Sequence, residues 1–155
     1  MNLAHLHLML NHGPVIGAFI AFAVLAVGWA RGRSSVIRTG YWIFAASAAL
    51  AVVVYLTGEP AEDLVKKLPG FSEQLAEHHE EIALASLIAL GVVGLIALGA
   101  LYHYRGREIP RRIAGVTVLL GLVPVALMAW TANTGGQIRH TEIRAGQSSA
   151  QSATP

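Results

Sequence analysis

The residues of this chain best suited to chemistry are its seven histidines; it has no cysteine. Imidazole is the commonest neutral side-chain ligand for haem iron, copper and zinc. The missing thiols exclude disulfides, iron–sulfur clusters, covalent c-type haem and thiolate zinc sites. Position separates the histidines further. His5, His7, His12, His78, His79 and His140 flank one set of ends of the apolar runs, and His103 alone flanks the other. His5 lies near the terminus and His103 among arginines, so both read as inert. Glu77, Glu80 and Glu81 read as a solvated face rather than as metal ligands. No nucleophile sits beside a base, which argues against hydrolytic chemistry.

The elements that must position these histidines are apolar. Of the 155 residues 54% are apolar and only 13% charged, about half the charge of a soluble domain, and the mean hydropathy is positive. Four runs, 13–30, 41–56, 82–102 and 113–132, are long enough to cross a bilayer as helices, and none holds an acid, lysine or arginine. At roughly 20 residues each they use ~80 residues, leaving room for loops and a tail. The expected fold is all-α, an integral membrane four-helix bundle. Residues 1–142 are expected to form the transmembrane domain and 143–155 a polar tail. Trp29, Trp42, Tyr102, Tyr104 and Trp130 mark the span ends as an aromatic belt. Without ionisable groups inside the spans, a transport pathway has no marker. The net charge of +2 and the absence of an aromatic-interleaved basic patch argue against nucleic acid as a partner.

Orientation follows from the arginines. Arg31, Arg33 and Arg38 lie between spans one and two, and Arg105, Arg107, Arg111 and Arg112 between spans three and four. The positive-inside rule puts all seven on the cytoplasmic side. Lys66, Lys67, Arg139 and Arg144 and eight of the nine acids fall on the other side. The expected location is the bacterial inner membrane, multi-pass, with both termini facing the periplasm. The start lacks a basic region and a small-residue cleavage site, so no cleavable signal peptide is expected.

The loop 58–81 carries its own signals. Glu59-Pro60 reads as a helix start, and Leu64, Val65 and Leu68 give a short amphipathic segment on the membrane surface between helices two and three. Pro69-Gly70 ends it, and Ser72 with Glu73 behind it caps a third helix that starts before its apolar core. The tail 145–155 is too polar and small to fold alone, and a partner subunit is its natural contact.

His12 stands at the mouth of the first span, His79 at the start of the third, and His140 follows the fourth, so three segments converge on one membrane level. Leu75, His78 and Ile82 share one helical stripe, while His79, Ile82 and Ser86 share another, so periodicity does not choose between His78 and His79. His7 and His12 fall about 140° apart on an ideal helix and suit two centres better than one. The two halves also echo each other: a hairpin opening with His12 and closing with Thr57-Gly58, then one opening with His79 and closing with Thr134-Gly135-Gly136.

These blocks resemble the DUF2231 membrane family. The segment His7-Leu-Met-Leu-Asn-His12-Gly-Pro resembles the family's opening His-Pro-x-x-x-His-Phe-Pro pattern, with Leu8 in place of the proline and Gly13 in place of the phenylalanine. Thr57-Gly58 resembles its second block and His79-Glu80-Glu81 the start of its third helix. Thr134-Gly135-Gly136 through His140 resembles its closing block, without the tyrosine before the last histidine. The resemblance spans about residues 5–142 with all blocks in order. It implies a four-helix membrane fold and points to His7, His12, His79 and His140 as the functional set; it implies no particular reaction.

The expected function is a b-type haem subunit that transfers electrons near the periplasmic face of a larger membrane complex, rather than an enzyme by itself. One or two haem b groups are expected, ligated by His12 with His79 and by His7 with His140. His78 is the alternative to His79, and Arg139 would pair with a propionate. Quinol or a periplasmic carrier would exchange the electrons, and other subunits of the complex and the lipid bilayer are the expected partners. The alternatives are a histidine site for non-haem copper, zinc or iron and a purely structural subunit that anchors a complex.

Overall fold

The computed structural model describes residues 2–144, apart from the Arg139 side chain. The expected tail at 145–155 and the role expected of Arg139 therefore lie outside the described residues. The chain is all-α: α1 Leu3–Leu10, α2 His12–Arg31, α3 Ser34–Leu56, α4 Gly58–Val65, α5 Glu73–His103 and α6 Arg111–Arg139, followed by a 3-10 turn at Thr141–Ile143. Four helical stretches, Leu3–Arg31, Ser34–Leu56, Glu73–His103 and Arg111–Ile138, are long and apolar enough to cross a membrane. The last three exceed their apolar runs because the helix continues into the polar layer at its ends, and the first includes the short helix α1.

The long helices form a square in which α2 and α5 each pack on both α3 and α6. Leu25, Tyr41, Phe44 and Leu90 are fully buried at its centre, while Leu95 and Leu119 point outward at about 70% exposure, as a lipid-facing surface requires. The first hairpin turns at Gly32, whose φ of 63° closes α2 in the left-handed conformation. Its helices then approach to backbone contact: a Cβ on Gly40 would lie 2.8 Å from the Leu25 backbone. At the arginine-bearing end the Arg38 guanidinium donates to the carbonyls of Tyr104 (2.5 Å) and Arg107 (2.6 Å), tying the two hairpin turns together.

The opposite end differs from the simplest reading of the sequence in one respect. A separate helix, α1, precedes the first expected span. Asn2 caps it, its side-chain oxygen accepting from the His5 N–H at 2.9 Å. The helix breaks at Asn11 because Pro14 has no N–H to give the Leu10 carbonyl and its ring crowds that carbonyl. The expected surface segment is present as α4, and α1 packs on it. Ser72 caps α5 as expected, its hydroxyl accepting from the Leu75 N–H.

Candidate functional site

A cavity of about 660 Å³ opens at the end of the bundle away from the arginine turns, beneath α1 and α4. That volume is in the range of small-molecule and cofactor sites. Much of its wall is apolar, with Ala51, Leu87 and Met128 among the contributors, and His7, His12, His79 and His140 all reach it.

Two of the four are built into the wall by the same device. His7, on α1, places Nδ1 3.0 Å from the Val54 carbonyl and 3.3 Å from the Thr57 hydroxyl. His79, on α5, places Nδ1 3.0 Å from the Thr134 hydroxyl. Each threonine also has backbone carbonyls within reach of its own hydroxyl, Val53 and Val54 for Thr57 and Trp130 and Thr131 for Thr134. A hydroxyl that donates to one of these accepts from the ring. The Val54 carbonyl can only accept, so His7 donates from Nδ1; the same assignment on His79 lets Thr134 keep its backbone bond and leaves Nε2 outside these bonds on both rings. This tautomer, fixed by an acceptor behind the ring, is the arrangement that orients metal-ligating histidines.

The glycine after each threonine makes room for the ring. A Cβ on Gly58 would lie 3.8 Å from His7 Cε1, and one on Gly135 would lie 3.0 Å from His79 Cε1. The halves thus repeat a unit of histidine, threonine and glycine, each drawn from two helices. The structural counterpart of His79 is His7, not the His12 that the echo in the sequence suggests. Both rings are partly buried and line the same cavity.

The other candidates are placed differently. His12 is exposed at the rim. His140 is exposed, with Nδ1 2.8 Å from the Glu142 carboxylate, which the Glu142 backbone N–H and His140 hold below the usual carboxylate range. His78 faces out and meets the edge of Trp130 with ring centroids 6.0 Å apart, so between His78 and His79 it is His79 that enters the cavity. His5 is exposed, and His103 accepts from Arg107 at the far end.

The sequence reading gave no role to Asn11, which lines the cavity at the break between α1 and α2 with its side-chain oxygen buried and unpartnered. Thr57 and Thr134 stand in the sequence as the closing blocks of the two halves, and the structure makes them the groups that hold the rings. Deeper in, Ser86 and Thr131 hydrogen-bond across α5 and α6 at 2.7 Å, where the first half has Pro14 and Val54 at the corresponding offsets. Among the described residues no three or more histidine and acidic side chains are grouped so as to hold a metal ion.

The family model described as a predicted membrane protein, DUF2231, matches residues 4–142, and the chain belongs to that family. No curated protein and no solved structure matches it.

Proposed function

We propose that this member of the DUF2231 family is a membrane subunit that holds one b-type haem between His7 and His79 and passes single electrons at that end of the bundle. The observation that carries this reading is the pair of imidazoles on opposite halves of one cavity, each with Nδ1 held by a hydrogen bond to the wall and Nε2 outside those bonds. A porphyrin supplies four ligands of its own, so two protein imidazoles complete the iron. A bare copper, zinc or iron ion asks for a larger protein ligand set, and no such group is present among the described residues. The donor set therefore fits haem better than a non-haem ion.

Bound haem would supply one-electron exchange. The chain's own part is to fix two ring orientations, keep the cavity largely apolar, and hold the site at one membrane level. Pairing His7 with His79 takes the place of the two pairings suggested by sequence spacing, because His12 and His140 are exposed at the rim. By the positive-inside rule the arginine turns face the cytoplasm and the cavity faces the periplasm of the inner membrane. Exchange would then be with a quinol or a periplasmic carrier, within a larger complex.

The test is the visible spectrum of the full chain purified in detergent, oxidised and dithionite-reduced, with a pyridine haemochrome to count haem. The expected result is one b-type haem per chain, lost in His7→Ala and in His79→Ala and kept in His12→Ala and His140→Ala. A haem band that survives in His79→Ala, or a colourless protein after expression with added haemin, overturns the reading. Elemental analysis of the colourless protein would then separate a non-haem metal from a structural subunit.

A further inference from the structure

The end of the bundle away from the cavity carries seven arginines, Arg31, Arg33, Arg38, Arg105, Arg107, Arg111 and Arg112, against a single acid, Glu108. None of the seven forms an ion pair among the described residues. Arg38 is consumed internally by the Tyr104 and Arg107 carbonyls. Arg31, Arg33, Arg105 and Arg112 are exposed. The two helices that start at this end, α3 and α6, have no acid in their first turn and no side-chain cap. At the other end Ser72 caps α5, and Glu73 and Glu59 occupy the first turns of α5 and α4. Guanidinium groups and helix N-termini both favour anions, and this end has almost none of its own.

The aromatic residues set the depth at which an anion would be met. Trp29 lies against α6, where a Cβ on Gly115 would fall 2.7 Å from its indole nitrogen, and it remains 39% exposed. The Arg111 guanidinium stands 6.0 Å above that indole and donates to the Ala30 carbonyl at 3.1 Å. Arg105 stacks over the exposed Tyr102 ring at 4.4 Å. Tryptophan and tyrosine of this kind sit at the headgroup level, which places the stacked guanidinium groups level with the lipid phosphates.

We infer that the seam between the end of α2 and the start of α6, formed by Trp29, Arg31, Arg111 and Arg112, is a binding site for the phosphate of an anionic phospholipid headgroup. The site is independent of the haem reading. Trp29 and the Arg111 hydrogen bond pre-order the seam, and Arg31 and Arg112 supply charge that forms no ion pair among the described residues.

The experiment uses the full chain in phosphatidylcholine nanodiscs with and without phosphatidylglycerol, read by thermal unfolding and by native mass spectrometry of retained lipid. The expected result is a higher unfolding temperature and retained phosphatidylglycerol in the mixed discs. Removing an arginine near the headgroups should weaken retention by about fivefold, the equivalent of about 1 kcal/mol. The variant R31Q/R112Q should therefore lose about 25-fold in retention. It leaves the Arg111–Ala30 bond intact and should fold normally in phosphatidylcholine alone. Equal stability and retention in the two lipids would overturn the proposal, as would a double variant that keeps the full preference. Reproduction of the whole effect by free glycerol phosphate would also overturn it, because the site would then take a soluble phosphate.

Discussion

In the first hairpin the cavity histidine rides on an eight-residue helix that breaks at Asn11, and in the second on an unbroken helix of 31 residues. His7 is held by two acceptors, the Val54 carbonyl and Thr57, and its ring has ordinary clearance above Gly58. His79 is held by Thr134, and a Cβ on Gly135 would crowd its ring at 3.0 Å. One half thus fixes its imidazole by duplicated hydrogen bonds on a short support, the other by tight packing on a rigid one. Equivalent chemistry does not require equivalent mechanics, and equal substitutions in the two halves should have unequal effects.

The largest effect should come from the histidines, where the halves agree. Either alanine variant should abolish retention of the proposed haem, read as absorbance per chain; retention of half or more in one of them would overturn the pairing of His7 with His79. Gly135→Ala comes next. The new methyl would force the His79 ring to shift, with a stability loss of about 1–3 kcal/mol in denaturant titration and loss of haem. Gly58→Ala should be tolerated, since its Cβ meets His7 only at 3.8 Å.

The threonines should differ less. Thr134→Val removes the hydroxyl behind His79 and should cost about 1 kcal/mol, with a shifted reduction potential for the proposed haem. Thr57→Val should shift the potential less, because the Val54 carbonyl still takes the His7 proton at 3.0 Å. Equal shifts would mean that the hydroxyl, not the carbonyl, sets the His7 ring. The smallest effect is at the helix break. Asn11→Leu removes a buried unpartnered oxygen and should raise stability by about 1 kcal/mol. A loss instead would show that the Asn11 side chain is itself part of the binding site.

Much of this architecture was legible in the residues. The four spans, the short segment α4 and the Ser72 cap follow from hydropathy and capping chemistry, which act locally along the chain. Which histidines share a site was only partly legible. Helical phase left His78 and His79 equivalent because it says nothing about where the neighbouring helix stands; α6 decides it, presenting Trp130 to one ring and Thr134 to the other. Spacing also favoured His12 as the partner of His79. The break at Asn11 re-aims the chain so that α1 folds over the cavity on α4 and carries His7 in, leaving His12 at the rim.

The sequence by itself determined that this is a four-helix membrane chain with six of its seven histidines at one end and seven of its nine arginines at the other. Those properties depend on residue type and order, which bilayer thickness and backbone hydrogen bonding convert directly into helices. Only the tertiary structure decided that two histidines from different halves are held in the wall of one cavity, each by a hydrogen bond at Nδ1. That outcome depends on the acceptors behind each ring, and these come from helices some 50 residues away in the chain.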